Sequence, residues 1–439
     1  MSGNLLAEMT VSTGFVVVAY LAIFAAALVI IVGLFDPGLR YKIAAPSSEQ
    51  NDSDEFLEML EALADSTLNR ATTLEVLTNG PRFYERELET IAAARYSVNL
   101  EAYIFTKGII ARRFVDTLAE RARAGIKVNV VLDGVGSLRA TESYFTDLIR
   151  AGGKVAWYNP VRWNRLPRYN NRTHRELLVV DGRIGFIGGA GIADHWFHGA
   201  GKQPQWRDTM VQVQGDAVPH LQSTFAENWL EAQGELLTGP ESFPEEKEEE
   251  RTTSAAAVLI INSTPSGGGS TRARMLFQLL LASAKKTIHI TTPYFLPDKS
   301  LSNELVRAIE ERGVEVKLLV PGMRSDILLT RTSSRHCYGS LLQAGAEIYE
   351  YQPSMIHVKV LLVDALWGVV GSTNFDNRSF GLNDEVNLAA RNPEFVQRLE
   401  QDFVQDLAKS KQITYEAWRH RPVLERAPEL LGWVLERQQ

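Results

Sequence analysis

Cysteine is almost absent from this 439-residue chain: Cys337 stands alone, so no intrachain disulfide can form and the redox compartment stays open. The histidines, the cysteine and the acidic residues show no tight metal-ligand spacing, so neither a metal nor another cofactor is expected. An excess of positive charge is missing too. The 46 Lys and Arg against 53 Asp and Glu leave a net charge of −7, which argues against a nucleic-acid partner, because that needs a basic face. The glycine run Gly267–Gly269 follows Pro265 but lacks the lysine of a phosphate-binding loop, and reads as a turn. Charged residues are missing altogether from Val11–Phe35, and Gly14–Phe35 is almost wholly apolar. At about 1.5 Å per residue such a helix spans a bilayer core. No Lys or Arg precedes it, as a cleaved signal peptide would require, so residues 1–45 are expected to be a single-pass membrane anchor. Arg40 and Lys42 just after it place the rest of the chain in the cytoplasm.

What is present suits a large α/β protein with room for two core-bearing domains. Residues 46–74 read as a polar linker, Ala45–Asp54, leading into an amphipathic helix over Glu55–Ala64 with Phe56, Leu57, Leu60 and Leu63 on one side. The first domain is expected over 75–239. Within it, Phe83–Ala94 and Gly108–Ala124 suit helices, and Val98–Phe105 and Ile126–Leu132 suit strands. That alternation predicts a mixed, mainly parallel sheet flanked by helices. An acidic, proline-marked linker occupies 240–255, a second domain 256–420, and a tail 421–439. In the tail Leu424, Leu430, Leu431, Trp433 and Leu435 suit either a helix on the membrane surface or ordinary core packing.

The second domain repeats the first. Ile288–Phe295 matches the strand holding Tyr103 and Phe105, Glu311–Gly322 matches Arg123–Gly134, and Leu341–Pro353 matches Ile149–Pro160. The repeat is sharpest at two stretches, Thr173–Asp194 and Ile356–Asn374. His174, Asp181, Gly188 and Gly189 of the first stand in register with His357, Asp364, Gly371 and Ser372 of the second. His357 and Lys359, two apart, point to one side of an extended strand. An imidazole, an ammonium, Ser372 and Asn374 at one rim are what phosphoryl transfer needs: a nucleophile or acid, and donors for the equatorial oxygens.

These stretches resemble the signature of the phospholipase D superfamily, H-x-K-x4-D-x6-G-[SG]-x-N, present twice. Over residues 75–420 the chain is most similar to bacterial cardiolipin synthases. Thr292–Asp298 (TPYFLPD), Ile348–Tyr351 (IYEY), Trp206–Thr209 (WRDT) and Asn377–Asn387 (NRSFGLNDEVN) support this, with the N-terminal apolar segment. The resemblance implies two tandem domains related by a pseudo-two-fold axis and a phosphatidyltransferase acting on phosphatidylglycerol or a similar phospholipid. It also implies residence in a bacterial inner membrane. A phospholipase D hydrolase and a catalytically weak binder of anionic lipid are the alternatives. In the family mechanism one histidine attacks phosphorus, while the other protonates the leaving alkoxide and later deprotonates the acceptor. His174 is the implied nucleophile and His357 the implied acid, with the near-symmetry permitting the reverse. Asp208 and Glu385 match the carboxylates that orient the histidines. Asp181 and Asp364 are expected to brace loops.

The first stretch departs from the signature twice: Glu176 stands at the lysine position and Gly191 at the asparagine position. An anion in place of a phosphate-holding cation costs on the order of 4 kcal/mol at ~4 Å and an effective dielectric near 20. Glu176 is expected to pair with Arg172, to hydrogen-bond a glycerol hydroxyl or its own histidine, or to mark a weakened half-site.

Overall fold

The computed structural model describes residues 16–24, 43, 51–161, 170–199, 201, 203–245, 257–265, 271–326 and 328–422. Residues 16–24 are helical, and no helix among the described residues is long and apolar enough to cross a membrane. The remainder of Val11–Phe35 lies outside the described residues, as do most of Ala45–Asp54, part of the acidic linker, Gly267–Gly269 and the apolar residues of the tail.

Among the described residues eighteen strands alternate with helices. They are β1 (Thr72–Thr78), β2 (Ser97–Ala102), β3 (Lys127–Asp133), β4 (Lys154–Tyr158), β5 (Arg172–Thr173), β6 (Leu177–Val180), β7 (Ile184–Gly188), β8 (Thr209–Gly215) and β9 (Ala257–Ser263). The second half adds β10 (Thr287–Thr291), β11 (Phe295–Leu296), β12 (Glu315–Pro321), β13 (Glu347–Tyr351), β14 (Val360–Val363), β15 (Trp367–Gly371), β16 (Phe375–Asp376), β17 (Asn383–Arg391) and β18 (Ser410–Ile413). The first sheet runs β1-β8-β7-β6-β2-β3-β4, and the second repeats it as β9-β17-β15-β14-β10-β12-β13, with β18 added at the edge. The duplication read from the residues is therefore a duplication of topology.

The sheets are mixed, but the expectation that they are mainly parallel is corrected. Four of the six pairings in the first sheet are antiparallel. Only β2-β3-β4 and β10-β12-β13, joined through helices, follow the parallel crossover rule within each repeat. The motif stretches are the cause. Each folds back on itself as a hairpin, β6–β7 or β14–β15, and a hairpin is antiparallel by construction.

The described residues form three apolar cores. One lies between the first sheet and the helices Gly80–Ala92 and Ile109–Arg123, through Phe83, Ile91, Phe114 and Leu118. A second lies between the other sheet and the helices Arg272–Ser283 and Lys299–Arg312, through Leu276, Leu280, Leu301 and Leu305. The third fills the space between the sheets and takes residues from both halves. There Leu221, Phe225 and Trp229 of helix Val218–Gln233 meet Val258 and Ile260, together with Phe395 and Leu399 of helix Pro393–Leu407. Strands buried on both faces read as unbroken apolar runs such as LLVV and VLLV, where alternation would mark a half-exposed strand.

The amphipathic helix forms at Asp54–Ala64, where the Ser53 hydroxyl accepts the Phe56 N–H at 3.1 Å. Its apolar side, Phe56, Leu57 and Leu60, joins the core of the second domain although it precedes the first. Phe56 packs edge-on against Trp367, whose Nε1 donates to the Asn51 carbonyl at 2.8 Å.

Candidate active site

Each motif histidine sits on an extended segment just ahead of a hairpin strand, His174 before β6 and His357 before β14. Both hairpins turn at an aspartate in the left-handed region, Asp181 at φ 55° and Asp364 at φ 57°. The two carboxylates do not join the histidines. Asp181 accepts the backbone N–H groups of Arg95, Tyr96 and Ser97, with its shortest contact at 2.7 Å. Asp364 does the same for Lys285, Lys286 and Thr287, and takes a further bond from Asn51 at 2.6 Å. They pin the turn to the start of the neighbouring strand and so fix the far end of the strand that carries each histidine. A surface hollow lined by Arg86, Asp181 and Arg183 opens at that far end, away from the imidazoles.

At the near end the two halves exchange partners. β5 pairs with β17, Thr173 opposite Asp384, and the His174 N–H donates to the Asp384 carbonyl at 2.9 Å. Both oxygens of Glu385 then lie 3.1 Å from His174 Nδ1. The mirror arrangement pairs Arg207 with Ile356, and the His357 N–H donates to the Arg207 carbonyl at 2.8 Å. Asp208 Oδ2 lies 2.9 Å from His357 Nδ1. Each histidine is thus oriented by the carboxylate of the opposite half. Asp208 and Glu385 are fully buried. Trp196 Nε1 donates to Asp208 at 3.0 Å, and the Ser372 hydroxyl donates to Glu385. The match of Asp208 and Glu385 to the motif pattern was open to sequence reasoning, but the crossing was not, since it arises from how the halves dock.

Lys359 completes the cluster. Its Nζ lies 3.0 Å from His357 Nδ1, 3.4 Å from Nε2 and 3.0 Å from the His357 carbonyl. It reaches this place across Gly189, where a Cβ would stand 2.9 Å from both Nζ and Asp208 Oδ1. Glycine here is a matter of space. Burial lowers the lysine's affinity for its proton, while Asp208, Glu385 and Glu176 raise it. Asn374 is buried, its N–H donates to Ser379 Oγ at 3.2 Å, and its side-chain Oδ1 has no partner among the described residues.

Residues 88–229 and 278–407 match the family described as "Cardiolipin synthase, PLD-like domain". The chain belongs to this family of cardiolipin synthases with phospholipase D-like domains. It is 34% identical over 391 residues to a cardiolipin synthase of Halalkalibacterium halodurans, covering 87% of this chain and 76% of that one. It is 32% identical over 400 residues to cardiolipin synthase 1 of Bacillus anthracis, covering 89% and 77%. A phosphatidylserine synthase from Haemophilus influenzae Rd KW20 shares the fold, with a TM-score of 0.65 at 15% identity, over 87% of this chain and 99% of that one.

Within this cardiolipin synthase-type site the two departures of the first motif have physical explanations. Glu176 does not pair with Arg172, which contacts Asp133 at 3.5 Å and the Asn159 carbonyl at 2.9 Å. Arg175 points away from the site, to Glu227 at 2.7 Å and the Thr224 carbonyl at 2.9 Å. Instead Glu176 is buried and accepts the Ile104 N–H at 3.3 Å. Burial pushes its carboxyl well above the usual carboxylate range, against the pull of the Ile104 N–H and of Lys359. The fold favours the neutral acid, which does not repel a phosphate. Gly191 packs so tightly that a Cβ would meet the Ile104 carbonyl at 2.5 Å and Glu176 Oε1 at 3.0 Å. The motif asparagine has no room there.

Sequence reasoning missed the rings about His357. Trp196, Trp206 and Tyr294 stand 5.3, 5.7 and 6.5 Å from it between centroids, and His195 lies between the two tryptophans. The stretches WRDT and TPYFLPD contain Trp206 and Tyr294; His195 and Trp196 carried no motif signal. Arg331 and Arg335 of helix Leu328–His336 are engaged by Glu350 of β13, at 3.2 and 2.9 Å.

Proposed function

We propose that this protein transfers a phosphatidyl group from one phosphatidylglycerol to a hydroxyl of a second, through a phosphohistidine, releasing glycerol. The observation that carries the reading is the pair of imidazoles, each with Nδ1 held by a buried carboxylate of the opposite half, which leaves Nε2 for the chemistry. Two imidazoles on one phosphorus divide the work between attack and proton transfer. Lys359, and Asn374 with its partnerless amide end, would hold the equatorial oxygens as charge gathers on them. Amide orientation is interchangeable, so the free end of Asn374 serves as an N–H donor once phosphate arrives. Ser372 acts on the site through Glu385. Asp181 and Asp364 support the reaction by fixing the hairpins.

Membrane attachment is part of the proposal. Val11–Phe35 is read as a single-pass anchor with the catalytic body in the cytoplasm, so that the pocket meets substrate in the bilayer. Lipid mass spectrometry on vesicles of phosphatidylglycerol incubated with the purified full chain tests the reading. Cardiolipin with an equimolar yield of glycerol is expected. Phosphatidic acid as the main product would make water the acceptor, and unchanged lipid from folded protein would reduce the site to lipid binding.

A further inference from the structure

Glu101 of β2, Thr173 of β5 and Asn228 of helix Val218–Gln233 meet in the interior, and all three are fully buried. Thr173 immediately precedes His174. Its hydroxyl donates to Glu101 Oε1 at 2.5 Å. The Asn228 amide nitrogen donates to the same Oε1 at 2.6 Å and to Thr173 Oγ1 at 3.1 Å. A hydroxyl carries one proton and an amide nitrogen two, so every donor of the cluster is spent. Two acceptors are left over, Glu101 Oε2 and Asn228 Oδ1, on the carboxyl and the amide that already touch. Neither has a partner among the described residues. A buried acceptor without a donor is costly, and a buried carboxylate without a cation more so. The charged neighbours do not relieve it. Arg175 gives its terminal nitrogens to the Thr224 carbonyl, Glu227 and Asn262, and among the described residues no ion pair joins it to Glu101. Asp384, opposite Thr173 across β5 and β17, brings further negative charge.

Resting on the transfer reading above, we propose that Glu101 carries a proton on Oε2 directed to Asn228 Oδ1, and that this acid–amide pair is a positioning device that seats Thr173 and through it His174. One proton satisfies both leftover atoms and doubles the contact between carboxyl and amide. The place matters because β5 is only two residues long. The Thr173 N–H goes to Asp133 at 3.1 Å, whereas the next N–H, that of His174, goes to the Asp384 carbonyl of the other half. Thr173 thus ties the His174 segment to its own sheet at the point where the backbone pairs across the halves. Ionisation of Glu101 would set a carboxylate oxygen against an amide oxygen and undo the pair. Burial agrees with the geometry: it pushes the Glu101 carboxyl up to about 7, against the pull of Arg175, Thr173 and Asn228, and Asp384 adds to the rise. A carboxyl raised in this way contributes stability that is fully present below about pH 4.5 and lost as pH rises through about 7. The seating of His174 weakens in the same direction.

The test uses full-length protein and phosphatidylglycerol in mixed micelles. Wild-type kcat should fall as pH rises through about 7. Glu101→Gln puts an amide N–H where the acid proton stood, so it should keep kcat at lower pH and move the alkaline fall to higher pH. Glu101→Ala and Thr173→Val should each lower kcat by roughly 10- to 10²-fold with KM little changed, because a displaced imidazole loses alignment and not binding. The infrared difference between wild type and Glu101→Gln at low pH should contain the carbonyl band of a buried carboxylic acid. Absence of that band overturns the proton. A Glu101→Gln profile that superimposes on the wild type overturns the positioning role, and so does an unchanged kcat in Thr173→Val. A folded Glu101→Gln that is inactive at every pH makes the carboxylate the working form and overturns the proposal too. If the wild type yields no cardiolipin, the transfer reading itself fails, and the infrared band still decides on the proton.

Discussion

At the scale of single residues, the site depends on groups that have few substitutes. Lys359 is buried among Asp208, Glu385 and Glu176, and no arginine of the first motif faces it. Lys359→Ala should therefore lower kcat by about 10²–10³ while changing KM far less, because its charge matters most when the phosphoryl oxygens gain theirs. Steady-state kinetics on mixed micelles reads the split, and an equal rise in KM with unchanged kcat would make the lysine a binding residue. Restoring the motif at the other departure should do harm. Gly191→Asn puts a Cβ 2.5 Å from a backbone carbonyl that cannot swing aside, and should cost about 1–3 kcal/mol in denaturant unfolding. An unchanged midpoint would mean that the Ile104 segment yields.

At the scale of elements, the helices carry buried charge as well as apolar surface. Glu87 lies inward on helix Gly80–Ala92, and burial pushes its carboxyl up to about 8 from an ordinary 4.5. A carboxyl whose folded value is raised contributes stability that is fully present below about pH 4.5 and lost as pH rises through about 8. Glu87→Gln keeps the shape and removes the proton. It should match the wild type near pH 4.5 and exceed it at pH 9 by up to about 5 kcal/mol, read as a melting temperature that falls less with pH. Parallel curves for the two proteins would show that the carboxyl finds a partner when ionised. The strands are simpler. Their apolar runs and turn aspartates leave one arrangement in which the hairpin buries both faces.

At the scale of the whole molecule, the proposed anchor and the helix that follows it are expected to have different duties. Asn51 bonds Asp364 at 2.6 Å, and Phe56, Leu57 and Leu60 fill the second core. Removing 1–45 should leave turnover of detergent-dispersed lipid intact and reduce turnover on vesicles, because anchoring raises local concentration without touching the chemistry. Equal loss in both assays would make the segment part of the catalytic body. Removing 1–66 should instead destabilise the fold, at about 1.5–3 kcal/mol for each of the three core side chains. A deletion that keeps its melting temperature would contradict the packing of that helix.

Much of this was written in the chain itself. The spacing of His174, Asp181 and Gly188 against His357, Asp364 and Gly371 is local, and local spacing survives as hairpin geometry whatever surrounds it. The helix at Asp54–Ala64 and the duplication were legible for the same reason, whereas the carboxylates beyond each motif were implied by the family resemblance alone. The tertiary structure decided what depends on contacts between distant stretches. The exchange of Asp208 and Glu385 between halves, the upward push of burial on the Glu176 carboxyl and the rings about His357 all follow from docking two sheets through a shared core. So does the destination of the first helix in the second domain. A sequence specifies which side chains share a strand, but the partner across an interface and the dielectric around a charge are set only when that interface closes.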